Sequence, residues 1–220
     1  MTVLAAVVGC NLIATHPKAT RPPAGAIVLF DGTDFSQWES EHGGPAPWRL
    51  ANGTMEVVPG KEDVITIQNF QDFKLHVEFN VPKEPKSEKG QSHGNSGIYI
   101  QRRYEAQILD SYGQEPKYDG CGAIYRTKPP DKNVCKRPGV WQTYDITFHA
   151  ARFTGEGENP KKLKNARITV FHNGVLIHDD FEIPDKTGRG RPEGPQPAPI
   201  QLQDHGSRVR FRNIWLVPLN

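Results

Sequence analysis

Short runs of β-branched and aromatic residues, separated by turn-forming residues, follow one another from Ile27 to the end of the chain. The clearest case is residues 166–184, where Asn173-Gly174 has the residue types that a type I′ turn requires between two apolar runs. Gly (21) and Pro (19) are frequent and scattered, which suits many short strands joined by turns. No segment shows a sustained helical period with caps at both ends. The pattern predicts an all-β protein.

The chain length fits one domain. All-β domains often reach about 200–250 residues as a single unit, and this chain has 220. We predict two packed antiparallel sheets in a jelly-roll β-sandwich over residues 26–220, preceded by a leader and Pro-rich linker over residues 1–25. The longest irregular stretch, residues 184–201, is rich in Gly, Pro and charge. A loop of this length is usually either functional or disordered.

The first ten residues, MTVLAAVVGC, are apolar and end in a cysteine. Cleavage before Cys10 fits a truncated bacterial lipoprotein signal, although the run is short and lacks a basic start. It is also too short to span a membrane, which takes about 20 apolar residues. We therefore expect an exported protein, periplasmic or anchored to the membrane through a lipid on Cys10. A disordered tail is the alternative.

Cys121 and Cys135 form a second cysteine feature. A disulfide closing a loop of about 15 residues would contribute roughly 3 kcal/mol in the chain-entropy model. Such a bond implies an oxidising compartment, as export would provide. Two unpaired buried thiols are the alternative. The chain has no Cys-x-x-Cys pair, so a structural zinc site is not expected.

Charge and motifs exclude several function classes. The net charge is +2, and the basic residues form no dense stripe with interleaved aromatics, so nucleic acid is not an expected partner. The chain lacks a Gly-x-Ser-x-Gly elbow, a phosphate-binding loop, a His-Glu-x-x-His motif and a dinucleotide-binding glycine pattern. We therefore expect no organic cofactor.

One candidate site is a polar stripe on residues 97–111, which we interpret as a single long strand. Alternate side chains of a strand share a face. One face is apolar and predicts the core side, whereas the other carries Tyr99, Gln101, Arg103, Glu105 and Gln107. A solvated outer face is the alternative interpretation. The trio of Arg103, Glu105 and Gln107 resembles a recognition surface, and Asn95 lies in the flexible segment just before it.

A second candidate site precedes the last strand, where Gln203, Asp204 and His205 come before a glycine. A carboxylate beside an imidazole can ligate a divalent metal or act as an oriented acid–base pair. The alternative is a turn in which Asp204 accepts hydrogen bonds from nearby backbone N–H groups. Trp141 offers a ring for sugar stacking, although a core position is equally consistent with its surroundings.

Five segments carry a resemblance to a known family, namely residues 28–38, 94–113, 121–153, 166–180 and 199–219. In order and spacing they resemble the 3-keto-disaccharide hydrolase family. The resemblance implies a concanavalin A-like lectin/glucanase type of jelly roll and export, often as a lipoprotein. It also implies hydrolysis of 3-keto-glycosides by C2 proton abstraction, elimination and hydration, on a 3-keto-sugar or other glycan substrate.

The resemblance suggests roles for the candidate residues. We expect Glu105, His205 and Asp204 to be catalytic, with Glu105 and His205 as ligands if a divalent metal ion takes part. Sugar-binding residues would be Asn95, Tyr99, Arg103, Gln107, Trp141 and Gln203. A non-catalytic carbohydrate-binding module, with Trp141 and Tyr99 as stacking platforms, is one rival. The other is a glycosidase for unoxidised glycans, which needs a second carboxylate that the stripe lacks.

Overall fold

The computed structural model describes residues 20–83, 90–154 and 160–219. Cys10 and most of the predicted leader lie outside the described residues. The described part contains fifteen strands and one short 3-10 turn at Gly90–Ser92, which confirms the all-β prediction. The strands are β1 (Ile27–Phe30), β2 (Trp38–Ser40), β3 (Arg49–Ala51), β4 (Thr54–Glu56), β5 (Val64–Thr66), β6 (Phe73–Asn80), β7 (Ser96–Ile100), β8 (Tyr104–Ile108), β9 (Gln142–His149), β10 (Arg152–Phe153), β11 (Lys162–Lys164), β12 (Ala166–His172), β13 (Val175–Ile183), β14 (Gln201–Leu202) and β15 (Arg210–Pro218).

Two antiparallel sheets build the sandwich. The eight-stranded sheet has the order β13-β12-β9-β6-β15-β4-β3, with β1 also pairing with β15. The five-stranded sheet has the order β2-β5-β14-β7-β8. β10 and β11 form a separate ribbon. No helix among the described residues has the length and apolar character needed to cross a membrane.

The hydrophobic core lies between the two sheets. Phe73, Phe79 and Phe148 contribute to it from the eight-stranded sheet, and Ile98 and Tyr104 contribute from the five-stranded sheet. The rings of Tyr104 and Phe148 approach to 5.6 Å between centroids and so connect β8 with β9 across the sandwich. Because side chains alternate along a strand, the residues between these core positions point away from the core.

The predicted hairpin at Asn173-Gly174 is confirmed. Both residues have positive φ, 53° and 78°, and His172 pairs with Val175 across the turn. Two central residues with positive φ are what a type I′ turn needs, and Asn and Gly adopt that conformation at low cost.

The interpretation of residues 97–111 as one strand is wrong. β7 ends at Ile100, the chain turns at Gln101 and Arg102 with φ of 53° and 56°, and β8 returns from Tyr104. The Arg103 N–H donates to the Ile100 carbonyl oxygen at 3.0 Å and closes the turn. Neither turn residue is a Gly or Asn, so the sequence carries no turn signal here. Odd-numbered residues nevertheless share one face of the sheet on both strands, because Tyr99 lies opposite Glu105 and Ile100 lies opposite Tyr104.

Candidate active site

The β7–β8 hairpin places three polar side chains on the outer face of the five-stranded sheet. Tyr99 lies directly opposite Glu105 in the antiparallel register, and Gln107 lies two residues beyond Glu105. Their neighbours Ile98, Ile100 and Ala106 belong to the core. The polar face predicted from the sequence therefore exists for these three residues, although two strands build it rather than one.

A cavity of about 400 Å³ lies over this face, and we call it the Glu105 cavity. Loops on both sides of the hairpin complete its walls. Its lining residues are Gln91, Asn95, Tyr99, Glu105, Gln107, Tyr125, Arg126, Gly188, Arg189, Gln203 and His205.

Glu105 is a buried carboxyl at the floor of this cavity, with 3% of its surface exposed. Its Oε2 atom accepts a hydrogen bond of 2.8 Å from the Tyr99 hydroxyl. Burial raises the pKa of Glu105 to about 7, against the opposing effect of the Tyr99 hydrogen bond and with a further contribution from the Asp63 charge. A carboxyl with this pKa can accept a proton near neutral pH.

Gly97 makes room for the Glu105 side chain. Gly97 pairs with Gln107 in the β7–β8 register, so it occupies the same outer face. A Cβ atom at this position would lie 2.6 Å from Glu105 Oε1, which is closer than non-bonded atoms approach. The glycine is therefore part of the local geometry that lets the carboxylate lie flat against the strand.

Two buried amide oxygens of the cavity have no hydrogen-bond partner among the described residues. They are Asn95 Oδ1 and Gln203 Oε1, and their residues are 1% and 7% exposed. The Asn95 amide nitrogen is engaged, since it donates to the Gln91 carbonyl oxygen at 2.8 Å. A buried polar atom without a partner costs free energy unless a ligand or water satisfies it. Both oxygens are suited to accept hydrogen bonds from sugar hydroxyls.

The structure brings His205 and Glu105 to the same cavity but gives Asp204 another environment. His205 is exposed and lines the Glu105 cavity. The Asp204 carboxylate accepts hydrogen bonds of 2.9 Å from the backbone N–H groups of Lys61 and Gly206. Asp204 therefore has the turn-forming contacts that were the alternative in the sequence, and it faces an adjoining cavity.

Arg103 does not line the cavity, so its predicted sugar-binding position is wrong. The residue belongs to the hairpin turn rather than to a strand face, and its guanidinium donates to Gln101 Oε1 and to the carbonyl oxygens of Pro192 and Gln196. Through the bonds to Pro192 and Gln196, Arg103 links the loop over residues 184–201 to the hairpin turn.

Trp141 also lies outside the cavity, next to β9 of the eight-stranded sheet. The Arg212 guanidinium lies 4.1 Å from its ring centroid, in a cation–π contact. Trp141 lines neither cavity, so the structure does not bring it to the site, and its predicted sugar-stacking role stays a prediction.

The loop over residues 184–201 forms one wall of the cavity. The Thr187 N–H donates to the Arg103 carbonyl oxygen at 2.9 Å, and the Thr187 hydroxyl accepts from the Glu105 N–H at 2.7 Å. These bonds hold the following Gly188 near the carboxylate, since a Cβ atom on it would lie 3.4 Å from Glu105 Oε2. The loop is thus ordered against the hairpin.

A second cavity of about 490 Å³ adjoins the first, and we call it the Arg191 cavity. Tyr99, Arg189 and Gln203 line both cavities. The remaining lining residues are Glu41, Gly60, Glu62, Asp63, Arg102, Arg191, Gln201 and Asp204.

Asp63 is the second carboxyl with a raised pKa on this side of the sheet. Burial raises its pKa to about 6, against hydrogen bonds from the Asp204 N–H and the Gln201 side-chain amide. Gln201 Oε1 in turn accepts from Arg102 Nε at 2.8 Å, and Arg102 pairs with Glu41 at 2.5 Å. Both oxygens of the Asp63 carboxylate thus accept hydrogen bonds from the protein, Oδ1 from the Asp204 N–H and Oδ2 from the Gln201 side chain.

Cys121, Cys135 and His172 form a separate cluster, in which the potential metal-ligand atoms lie within 4.8 Å of one another. Both cysteines are free thiols in this structure. The fold thus places the two predicted disulfide partners side by side, and the bond itself stays a prediction. Glu105 and His205 belong to no such group of three or more His, Cys, Asp and Glu ligands among the described residues.

A family model described as "3-keto-alpha-glucoside-1,2-lyase-like domain" matches residues 25–217. The chain belongs to this family. The match includes every residue of the two cavities, and it agrees with the resemblance found in the sequence. Curated proteins gave no match to the chain.

Three solved structures similar to this family member come from Parabacteroides distasonis ATCC 8503. One, provisionally described as a glycosyl hydrolase, has a TM-score of 0.81 and 38% identity over 90% of this chain and 85% of its own. Another of the same description has a TM-score of 0.67 and 18% identity over 89% and 94%. A third has a TM-score of 0.55 and 24% identity over 84% and 100%. The first structure, together with the family, supports a carbohydrate-related function, and the other two show the fold.

Several lining residues of this family member were not singled out in the sequence. Asp63 precedes a three-residue strand, and Arg102 occupies a turn that has no turn signal. Tyr125 and Arg126 follow Ile124, which bridges to Ala106 of β8. For Arg189 and Arg191 the sequence did give a signal, since both lie in the irregular stretch 184–201, whose length indicated either a functional or a disordered loop.

Proposed function

We propose that this protein cleaves 3-keto-glycosides and that Glu105 removes the proton from C2 of the oxidised sugar. The observation that carries the proposal is a buried carboxyl whose pKa is raised to about 7, at the floor of a cavity that also presents unpartnered polar atoms. General-base catalysis is most effective when the pKa of the base is near the working pH.

The ketone at C3 makes this chemistry accessible to one base. Removing the C2 proton gives an enolate delocalised onto the C3 oxygen. The enolate then expels the aglycone oxygen from C1 and leaves a C1=C2 double bond. Water adds its oxygen to C1 and a proton to C2, and the leaving oxygen takes up a proton. The net result is hydrolysis of the glycosidic bond.

Direct hydrolysis of an unoxidised glycan fits the cavity less well. Retaining and inverting glycosidases use two carboxyl groups, about 5–5.5 Å or 6.5–9.5 Å apart. Among the described residues that line the Glu105 cavity, Glu105 is the sole carboxylate. The carboxylates of Asp63 and Asp204 face the Arg191 cavity and accept hydrogen bonds from protein groups.

Two cationic side chains of the same cavity are candidates to stabilise the enolate. Arg126 and Arg189 line the same cavity, and preorganised charge near a developing oxyanion lowers its free energy. Burial, followed by the charge and hydrogen bond of Glu105, raises the pKa of Tyr99. Tyr99 therefore keeps its proton and remains a donor.

A divalent metal ion is compatible with the cavity. One imidazole (His205) and two unpartnered amide oxygens (Asn95, Gln203) make a donor set that divalent cations accept, with water completing the shell. These three residues would hold the ion and leave Glu105 free as the base, and a bound ion would supply Lewis-acid stabilisation of negative charge on a sugar oxygen.

The family match supports the lyase step, since the family description names a 1,2-lyase acting on a 3-keto-alpha-glucoside. A passive carbohydrate-binding module would need exposed aromatic platforms. Trp141 is covered by Arg212, and Tyr99 is 3% exposed with its hydroxyl bonded to Glu105. Tyr99 therefore presents no exposed ring face for stacking, and Trp141 lies outside both cavities.

The test is incubation of the purified protein with 3-keto-trehalose and 3-keto-lactose, with and without EDTA. We expect release of the second sugar unit from at least one substrate and loss of this release in Glu105→Gln. Binding of both disaccharides without cleavage in any metal condition would favour the carbohydrate-binding module instead. Cleavage of unoxidised disaccharides at a comparable rate would favour an ordinary glycosidase.

A further inference from the structure

We propose that the Arg191 cavity binds the second sugar unit of the substrate, the one that leaves, and that it prefers a neutral, hydroxyl-rich sugar. This inference rests on the proposed function, which places the oxidised sugar against Glu105. The two cavities adjoin each other, since Tyr99, Arg189 and Gln203 line both. At about 400 and 490 Å³, each has room for one sugar ring, as small-molecule sites of roughly 300–1,000 Å³ do.

Gln203 lies at the junction of the two cavities. Its Oε1 atom is buried and has no partner among the described residues. Ser96 Oγ donates to the Gln203 backbone carbonyl at 2.7 Å, and the Gln203 N–H donates to the Gly97 carbonyl at 3.0 Å. These bonds fix the backbone and leave the side-chain oxygen as an acceptor at the place where two linked sugar rings would meet.

The acceptors of the Arg191 cavity are engaged by the protein. Asp63 accepts from Gln201 and the Asp204 N–H, and Asp204 accepts from two backbone N–H groups. Ser40 Oγ donates to Glu62 Oε2 at 2.5 Å, and Glu41 pairs with Arg102. A ligand in this cavity therefore meets carboxylates whose hydrogen-bonding capacity is partly used.

The donors of the cavity are available. The guanidinium groups of Arg189 and Arg191 have no side-chain hydrogen bond or ion pair with any other described residue. Both side chains are exposed on the wall formed by residues 184–201. The wall itself is fixed, because the Arg191 N–H donates to the Arg102 carbonyl at 2.7 Å. A Cβ atom on Gly190 would lie 2.0 Å from the Arg103 carbonyl oxygen, so the loop packs directly on the hairpin turn.

Charge decides between a neutral and an acidic sugar. Four carboxyl groups line the cavity, namely Glu41, Glu62, Asp63 and Asp204, against three arginines, Arg102, Arg189 and Arg191. With every group ionised the lining carries a net charge of −1, so it offers an added carboxylate no net attraction, whereas sugar hydroxyls can accept from the arginines and donate to the carboxylates. The cavity is accordingly suited to a hexosyl unit rather than a uronic acid.

The experiment compares binding of two ligands to Glu105→Gln by calorimetry. The ligands are the 3-keto-disaccharide that the wild type cleaves, or 3-keto-trehalose if it cleaves none, and the corresponding methyl 3-keto-glucoside, which lacks the second sugar. We expect the disaccharide to bind at least about tenfold more tightly, the value of one or two hydrogen bonds to a charged group. In the double variant Glu105→Gln/Arg191→Gln, the difference in affinity between the two ligands should largely disappear. Lys132→Gln, which removes a charge at an exposed residue that lines neither cavity, should preserve it.

Equal affinity for the two ligands would overturn the proposal, as would a ratio that Arg191→Gln leaves intact. Tighter binding of a matched ligand with a glucuronosyl unit would overturn the preference for a neutral sugar. If Glu105→Gln does not fold, the wild type and the unoxidised disaccharide and methyl glucoside give the same comparison. Failure of the proposed function has a different signature, since the wild type would then bind the 3-keto-disaccharide and leave it intact.

Discussion

The Tyr99 hydroxyl donates a hydrogen bond of 2.8 Å to Glu105 Oε2, across a directly opposed pair of residues in the β7–β8 hairpin. Burial raises the pKa of the carboxyl, whereas this hydrogen bond favours its ionised form and lowers the pKa. The balance is a pKa of about 7. One cross-strand pair therefore supplies both the candidate base and the group that tunes it.

The first prediction concerns the pH dependence of activity. Glu105 acts as a base only when ionised, so kcat/KM for a 3-keto-glucoside should rise with pH through an apparent pKa of about 7. Tyr99→Phe removes the hydrogen bond that favours the ionised form, and we expect it to move this apparent pKa upward by about 1 unit. Tyr118→Phe, at an exposed tyrosine, is the control and should leave the profile in place. An unchanged profile in Tyr99→Phe would mean that the hydrogen bond does not tune the base.

The second prediction concerns Gly97. Because a Cβ atom there would lie 2.6 Å from Glu105 Oε1, Gly97→Ala must displace the carboxylate. We expect kcat to fall about 100-fold, since small misplacements of a catalytic group have effects of this size. Gly194→Ala is a matched control, because its Cβ would meet its nearest neighbour at an ordinary 3.6 Å. Comparable activity of the two variants would count against the placement of Glu105.

The third prediction concerns the pH dependence of stability and involves His76, far from the cavities on β6. His76 is buried, stacks on Trp215 and lies 2.6 Å from Asp145 and 3.8 Å from Glu78. Burial lowers the pKa of His76, but the hydrogen bonds and charges of the two carboxylates outweigh it and raise the pKa to about 8. Since the folded pKa exceeds the unfolded value, the stabilisation is complete below about pH 6.5 and is lost as pH rises through 8.

Thermal unfolding of the wild type and of His76→Gln between pH 6 and 9 measures this contribution. We expect the difference in the free energy of unfolding to shrink by at most about 2 kcal/mol over that range. Leu50→Gln, at an exposed residue on β3 of the same sheet that pairs with Met55, should show a difference that does not change with pH. A constant difference for His76→Gln would contradict the assigned ion pairs.

The fourth prediction concerns Cys121 and Cys135. Their sulfur atoms lie within 4.8 Å, so little movement is needed to form a bond between them. If the protein matures in an oxidising compartment, no free thiol should be detected at these positions before reduction. Reduction should then lower the free energy of unfolding by roughly 3 kcal/mol. Two titratable thiols in protein isolated from its native compartment would contradict the predicted disulfide.

The strand pattern was sufficient to predict the sandwich and part of the site. Tyr99, Glu105 and Gln107 share a face because β alternation is local, and it stayed in phase through a hairpin that the sequence does not signal. The same missing turn signal explains why Arg103 was misplaced. Trp141 lies outside the site for a different reason, since its contact with Arg212 depends on the pairing of distant strands.

The Arg191 cavity could not be predicted from local pattern. Asp63, Arg102 and Gln201 meet only because β14 is inserted between β5 and β7, and this strand order depends on long-range pairing. The irregular stretch 184–201 indicated a functional loop, but its contacts with the hairpin set where Arg189 and Arg191 lie. Sequence identified the residues of the loop, and the fold determined their position.

The most direct test of the central claim is the position of solvent hydrogen in the product. Cleavage of a 3-keto-glucoside in D₂O, followed by NMR of the released 3-keto-sugar and corrected for exchange without enzyme, distinguishes elimination from direct displacement. Elimination through Glu105 predicts deuterium at C2 of the product, formed by the wild type and lost in Glu105→Gln. A product that retains the original hydrogen at C2, or deuterium incorporation that persists in Glu105→Gln, would contradict the account.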